Sequence, residues 1–223
     1  MLGFATAAVL DTAPAQTFWE FLRAGGPVMV PIGLCSVIVL GLTLERLLRL
    51  RHTLILPAEM DGAVRLIEAG RFADAERAAA AIDAPAGRVL LAGLRRQGHS
   101  IPDVERAMEQ QGAKEADRLR GPIRPIGLMG NVAPLLGLFG TVVGILQAFQ
   151  QVVRVGMGRP EALAAGIEVA LITTVAGLAV AIPAVVIAAW LQGRVRTLVR
   201  LMDERLAPLV ERIAARPESS HAA

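Results

Sequence analysis

The chain has 223 residues, 54% hydrophobic and 19% charged, with a net charge of +3. That apolarity excludes a disordered chain, and its concentration in long charge-free runs excludes an ordinary soluble domain. One cysteine (Cys35) and three scattered histidines exclude an internal disulfide and a cysteine zinc cluster, and the near-balance of 23 basic and 20 acidic residues is not a nucleic-acid signal.

The first basic residue is Arg23, so the start lacks the cationic n-region expected of a signal peptide. Residues 12–23 carry Phe18, Trp19, Phe21 and Leu22. They read either as a short helix on the outer membrane–water boundary, where Trp is favoured, or as a plain leader into the first span.

Three charge-poor runs follow: 24–44, 125–153, and 162–193 with Glu168 as its one charge. Each exceeds the roughly 20 residues a helix needs to cross hydrocarbon. The predicted class is an all-α membrane protein with three transmembrane helices. A helical cytoplasmic domain (45–124) lies between spans 1 and 2, a loop (154–161) joins spans 2 and 3, and a helix and tail (194–223) follow span 3. Residues 45–124 hold 14 basic residues and 194–223 hold six, against one in the first 24 and two in 154–161. Basic loops stay on the cytoplasmic side, so the N-terminal segment (1–23) and the 154–161 loop are expected outside, and the 45–124 segment and the C-terminus in the cytoplasm.

Within 45–124 the helices are expected to start near Pro57, Arg71, Pro85 and Ser100. Gly70 and Gly98 are the stops, Asp83 is a cap, and Ser100 with Asp103 resembles a capping box. The 14 basic and 12 acidic residues there suit packing between subunits better than binding a polyanion. Beyond Gly193, apolar residues at 195, 198, 199, 202, 206, 209, 210 and 213 continue span 3 as an amphipathic helix. Residues 217–223 read as a loose tail.

No phosphate loop, HExxH, cysteine pair or Ser–His pairing within the spans occurs. The expectation is therefore no enzyme, no cofactor and no metal. What remains are small stripes and polar groups at membrane depth. Gly140 and Gly144, extended by Ala133 and Gly137, form one stripe. Gly166, Ala170 and Thr174, with Thr173, Gly177 and Ala181, form others at four-residue spacing. Such stripes admit a close helix, in another subunit or in the same chain. Glu168 is a proton-handling candidate if it lies inside the bilayer, and a cheap hydrated carboxylate if it lies at the outer interface. Thr141, Thr173 and Thr174 supply hydroxyls. Taken singly, such a hydroxyl commonly bonds back to its own helix. Facing ones could hold a water or relay a proton.

The runs APLLGLFGTVVGILQAF (133–149), LAAGI (163–167) and ALITTVAGLAVAIPA (170–184) closely resemble the MotA/TolQ/ExbB proton-channel family, and the size and three spans resemble its ExbB/TolQ branch. The resemblance implies a homo-oligomeric ring, a pentamer, around single-span helices of an ExbD or TolR partner. Proton flow would be passed to a TonB-like protein for outer-membrane transport or a TolA-like protein for envelope integrity. The proton-binding Asp would sit on the partner. Thr141 and Thr174 would match the pore-lining threonines, and the small stripes would face neighbouring subunits and the central helices. One departure is plain. Where many relatives read Gly-Ile-x-Glu-Ala-Leu, this chain reads Gly166-Ile-Glu-Val-Ala-Leu171, so Val169 takes the Glu place and Glu168 lies one step away. That leaves open a stator for gliding or another motility motor. A non-transporting membrane scaffold is the reading from another class.

Overall fold

The computed structural model describes residues 23–50, 55–155 and 160–215. The segment 12–22 and the tail 217–223 lie outside them, as do residues 156–159 of the loop between spans 2 and 3. The described residues are helical, with no strand among them. A 3-10 turn (Gly26–Val28) leads into α1 (Met29–Arg49). Four helices follow: α2 (Met60–Glu68), α3 (Phe72–Ala81), α4 (Pro85–Leu94) and α5 (Ile101–Arg120). A second 3-10 turn (Gly121–Ile123) precedes α6 (Arg124–Val155). Then come α7 (Pro160–Leu206) and α8 (Leu209–Ala214). Three helices are long and apolar enough to cross a membrane.

The helices do not stop where the apolar runs stop. α1 continues past Leu44 to Arg49, helped by the Glu45–Arg49 pair (3.1 Å) one turn apart. α7 runs past Gly193 to Leu206 and breaks only at Ala207-Pro208. An apolar run measures the hydrocarbon it must cross. Backbone hydrogen bonding carries the helix onward as long as helix formers continue.

The chain divides into two compact units. One comprises residues up to Leu40 together with Gly127–Val185. It consists of most of α1, nearly all of α6 and the first half of α7. Val28, Met29 and Ile32 pack with Ile172 and Ala176, joined by Leu136, Val143 and Val180. Cys35, Ala133 and Ala181 form a second patch with Met129 and Val132.

The other unit, Gly41–Ile126 with Val186–Ala223, is built differently. Its core joins Met60, Ile67, Ala75, Leu90, Met108, Met202, Leu206 and Ile213, from α2–α5, α7 and α8. Arg205 reaches Asp61, which ties the end of α7 to α2. Gly70 (φ 71°) follows the last residues of α2 in the left-handed conformation that side chains resist. Glu115 is 1% exposed and is met by Arg88 (2.8 Å), Gln111 (2.8 Å) and Arg118 (3.0 Å). The bond with Glu115 holds the Arg88 pKa above its ordinary value against the opposing effect of burial.

Two caps differ from the sequence expectation. α4 starts with Ala84 as its N-cap; Asp83 instead pairs with Arg88 at 2.8 Å. At α5 the Ser100 hydroxyl donates to the Asp103 carboxylate (2.6 Å) and accepts no helix N–H. The hydroxyl turned onto the carboxylate makes a charge-assisted bond, about twice as strong as a neutral one, and in that position its oxygen meets none of the helix N–H groups. α2 also begins later than Pro57, since residues 57–59 form turns with Met60, Asp61 and Gly62 as the donors.

Candidate functional site

All twelve residues singled out from the sequence lie on α6 and α7 within the first unit. The small stripes close on each other inside one chain. A Cβ added to Gly144 would stand 2.8 Å from the Gly166 carbonyl oxygen and 3.0 Å from the Ala170 nitrogen. One on Gly137 would stand 2.9 Å from the Thr173 carbonyl oxygen, and one on Gly177 would stand 2.6 Å from the Ala133 carbonyl oxygen. One on Gly140 would collide with the Thr173 side chain. Each step up α6 is matched by a step down α7, so the two run antiparallel with backbones in near contact. The space a side chain would need is occupied by the partner's main chain. The small residues are thus spent on the α6–α7 seam; among the described residues, none is left as a bare groove for a neighbouring subunit.

Thr173 sits in the middle of this seam at 0% exposure. Its hydroxyl donates to the carbonyls of Val169 (3.1 Å) and Ala170 (2.9 Å), and its side chain fills the hollow left by Gly140. Thr141 donates to Leu138 O (2.6 Å) and Thr174 to Ala170 O (3.2 Å). Both are half-exposed. Each hydroxyl thus bonds to its own helix, and each oxygen keeps lone pairs for a further donor.

The flank on which these two lie is the informative part. Each residue turns a helix by about 100°. Thr174 is therefore about 160° around α7 from Ile172 and Ala176, the buried residues that meet α1. Thr141 is similarly about 140–160° around α6 from Leu136 and Val143, which pack into the same cluster. For antiparallel helices meeting face to face, these offsets put both threonines on one side of the seam, opposite α1. Nothing among the described residues covers that side. Around it Leu138, Ile145, Leu178 and Val185 are exposed.

Glu168 does not join them. It lies two residues from both Gly166 and Ala170, about 160° around the helix from each, and is exposed on the outward side of α7. Val169, in the place where many relatives carry Glu, is half-buried.

The profile of the MotA/TolQ/ExbB proton channel family matches residues 81–204, which include the whole seam and all three threonines. The chain belongs to this family. Relatives place it on the ExbB/TolQ-like side. It is 35% identical over 197 residues to a protein of Synechocystis sp. named as biopolymer transport protein ExbB-like 1, covering 83% of this chain and 74% of that one. It is 31% identical over 182 residues to an ExbB homolog of Methanothermobacter thermautotrophicus, covering 80% of this chain and 64% of the relative. The Tol-Pal system protein TolQ of Pseudomonas aeruginosa is 38% identical over 98 residues, 42% of each chain. With three long apolar helices and this family, the chain is a multi-pass membrane protein.

Sequence reasoning passed over several polar residues in the second unit. Arg46 is only 6% exposed and pairs with Glu45 at 3.1 Å. Its Nε and the Thr43 hydroxyl, one turn earlier, are buried with no partner among the described residues. The signal is there in part: Arg46 lies two residues past the apolar run that ends at Leu44, among the basic residues whose distribution sets the topology. Glu115 gave no local signal, because Arg88 lies 27 residues away.

Proposed function

We propose that this chain is the channel subunit of an inner-membrane, proton-driven motor of the ExbB/TolQ type. Copies of it form a ring, with the flank that bears Thr141 and Thr174 turned toward the centre. A single-span partner of the ExbD/TolR type supplies the carboxylate that carries the proton. Its motion is handed to a TonB- or TolA-like protein for work at the outer membrane. The N-terminus is periplasmic and the C-terminus cytoplasmic, as the lopsided distribution of basic residues supports.

The observation that carries this reading is the shared flank. Two hydroxyls from different helices stand on the one side of a rigid helix pair that α1 leaves uncovered, amid exposed apolar side chains. A hydroxyl is the least costly polar group to place there. It meets its own bonding requirement through its helix and still offers an oxygen to a protonated carboxyl or a water. A fixed charge would bind the proton too tightly and cost several kcal/mol in hydrocarbon. The driving force suffices: one charge crossing 100 mV releases about 2.3 kcal/mol, so a few protons can repack a helix contact.

The test is the pair Thr141→Val with Thr174→Val, which keeps volume and removes both oxygens. Proton-motive-force-dependent uptake or envelope integrity is measured in cells with normal protein levels. Activity should fall at least tenfold, and full activity would refute the assignment. Val169 supports a second reading, a motility stator. A partner with a peptidoglycan-binding domain, found by co-purification, would favour it.

A further inference from the structure

The end of the apolar stretch of α7 carries a feature that the channel reading does not use. Arg194 is the first charged residue after Glu168, so it stands where the hydrocarbon ends. Its guanidinium lies over the Trp190 ring, 5.7 Å from the centroid. Its Nε donates to the Leu50 carbonyl at 2.9 Å. That carbonyl directly follows α1, where helix carbonyls lack intrahelical donors. The Arg194 side chain is thereby fixed at two points, and among the described residues its terminal nitrogens have no acceptor. Beside it, on one face of α7, lies an open-sided cavity of about 500 Å³ lined by Trp190, Gly193, Arg194, Thr197 and Leu198. Trp190 is 52% exposed and Val186, one turn earlier, is 63% exposed.

We propose that this cavity holds the headgroup of an anionic, hydroxylated phospholipid such as phosphatidylglycerol. The phosphodiester is held by the two free nitrogens of Arg194. A guanidinium presents paired N–H donors in a plane that matches two phosphate oxygens. The Thr197 hydroxyl donates to the Gly193 carbonyl (3.2 Å), so its oxygen is left to accept from a headgroup hydroxyl. The part of the Trp190 indole that the guanidinium leaves exposed and the side chain of Val186 lie along the helix toward the bilayer and take the glycerol backbone and the start of an acyl chain. That apolar track favours a lipid over a free phosphate ion. Basic pockets at membrane boundaries bind such headgroups. The proposal asks only that the chain spans a bilayer, and stands whether or not the channel reading does.

The test uses the full chain in vesicles. Trp19→Phe leaves Trp190 as the one indole, since the sequence has two tryptophans. Quenching of its fluorescence is compared between brominated phosphatidylglycerol and brominated phosphatidylcholine. The expected preference for the anionic lipid is about fivefold, the attraction of one arginine at a membrane surface. Arg194→Gln should bring it to unity, and Arg196→Gln, a charge outside the cavity, should leave it in place. Equal quenching by the two lipids would overturn the proposal. So would a preference that survives Arg194→Gln, or one abolished by excess inorganic phosphate. If Arg194→Gln does not assemble, the preference itself and its halving by Thr197→Val decide the matter.

Discussion

The two units solve the same packing problem by opposite means. In the second unit, large side chains such as Met60, Leu90, Met202 and Ile213 fill a core from which water is driven, and the hydrophobic effect supplies the stability. In the first unit, α6 and α7 meet through residues that have almost no side chain. Lipid is as apolar as leucine, so helices gain little there by burying bulk; close backbone approach is what holds them together. The lesson is that a glycine's value depends on what its bare Cα faces: Gly144 and Gly177 face a backbone, whereas Gly62 in the second unit faces nothing.

The sharpest way to break that contrast is Gly166→Leu. The new side chain would have to displace the Gly144 carbonyl, 2.8 Å from where its Cβ falls. The expected cost is about 3 kcal/mol or more, read as loss of folded protein on detergent gel filtration. A variant that assembles normally would refute the seam. Next comes the buried carboxylate. Glu115 is 1% exposed, whereas Arg88 is 35% exposed, so removing the cation hurts more than removing the acid. Arg88→Met leaves the buried carboxylate with only Arg118 and Gln111 and should cost about 2 kcal/mol, and Glu115→Gln about half that, by urea unfolding followed by circular dichroism. The reverse order would mean that the pair is not what orders α4 against α5.

Gly62→Ala in α2 sharpens the contrast from the other side. Nothing stands within 4 Å of its added Cβ, so helix propensity alone acts. Stability should rise by about 0.5–1 kcal/mol, in the same unfolding assay. The smallest effect belongs to Asp74. The Arg71 hydrogen bond first, and the charges of Arg71 and Arg77, hold its carboxyl below the ordinary value, against the opposing effect of desolvation. A depressed carboxyl contributes stability above its unfolded value, and that contribution is lost as pH falls through the folded one. Asp74→Asn should therefore lower the melting temperature at pH 7 by no more than about 1 °C. At a pH below the folded value of Asp74, the variant should match the parent.

Much of the fold was legible because lipid imposes a one-dimensional rule: a charge-free run long enough to cross is a helix. The end of α1 was not, since Glu45–Arg49 continue by backbone bonding after the apolar signal has stopped, whereas past Gly193 the apolar spacing itself announces the continuation to Leu206. In the site, the stripes could be read but not their partner, because a small stripe suits any close helix. Only the antiparallel register, with Gly144 against Gly166 and Gly177 against Ala133, shows what each faces. The common flank of Thr141 and Thr174 depends on that register as well. Arg88–Glu115 and Arg194–Leu50 are long-range pairs with no trace in local spacing.

The Thr173 hydroxyl, shut in with its two carbonyls behind Gly140, has one more implication. A seam with no idle atoms has no slack. α6 and α7 cannot slide or roll without a steric clash, and parting would leave a void along the seam, so they behave as a single stave. Whatever motion a working cycle demands must take place against the outside of that stave.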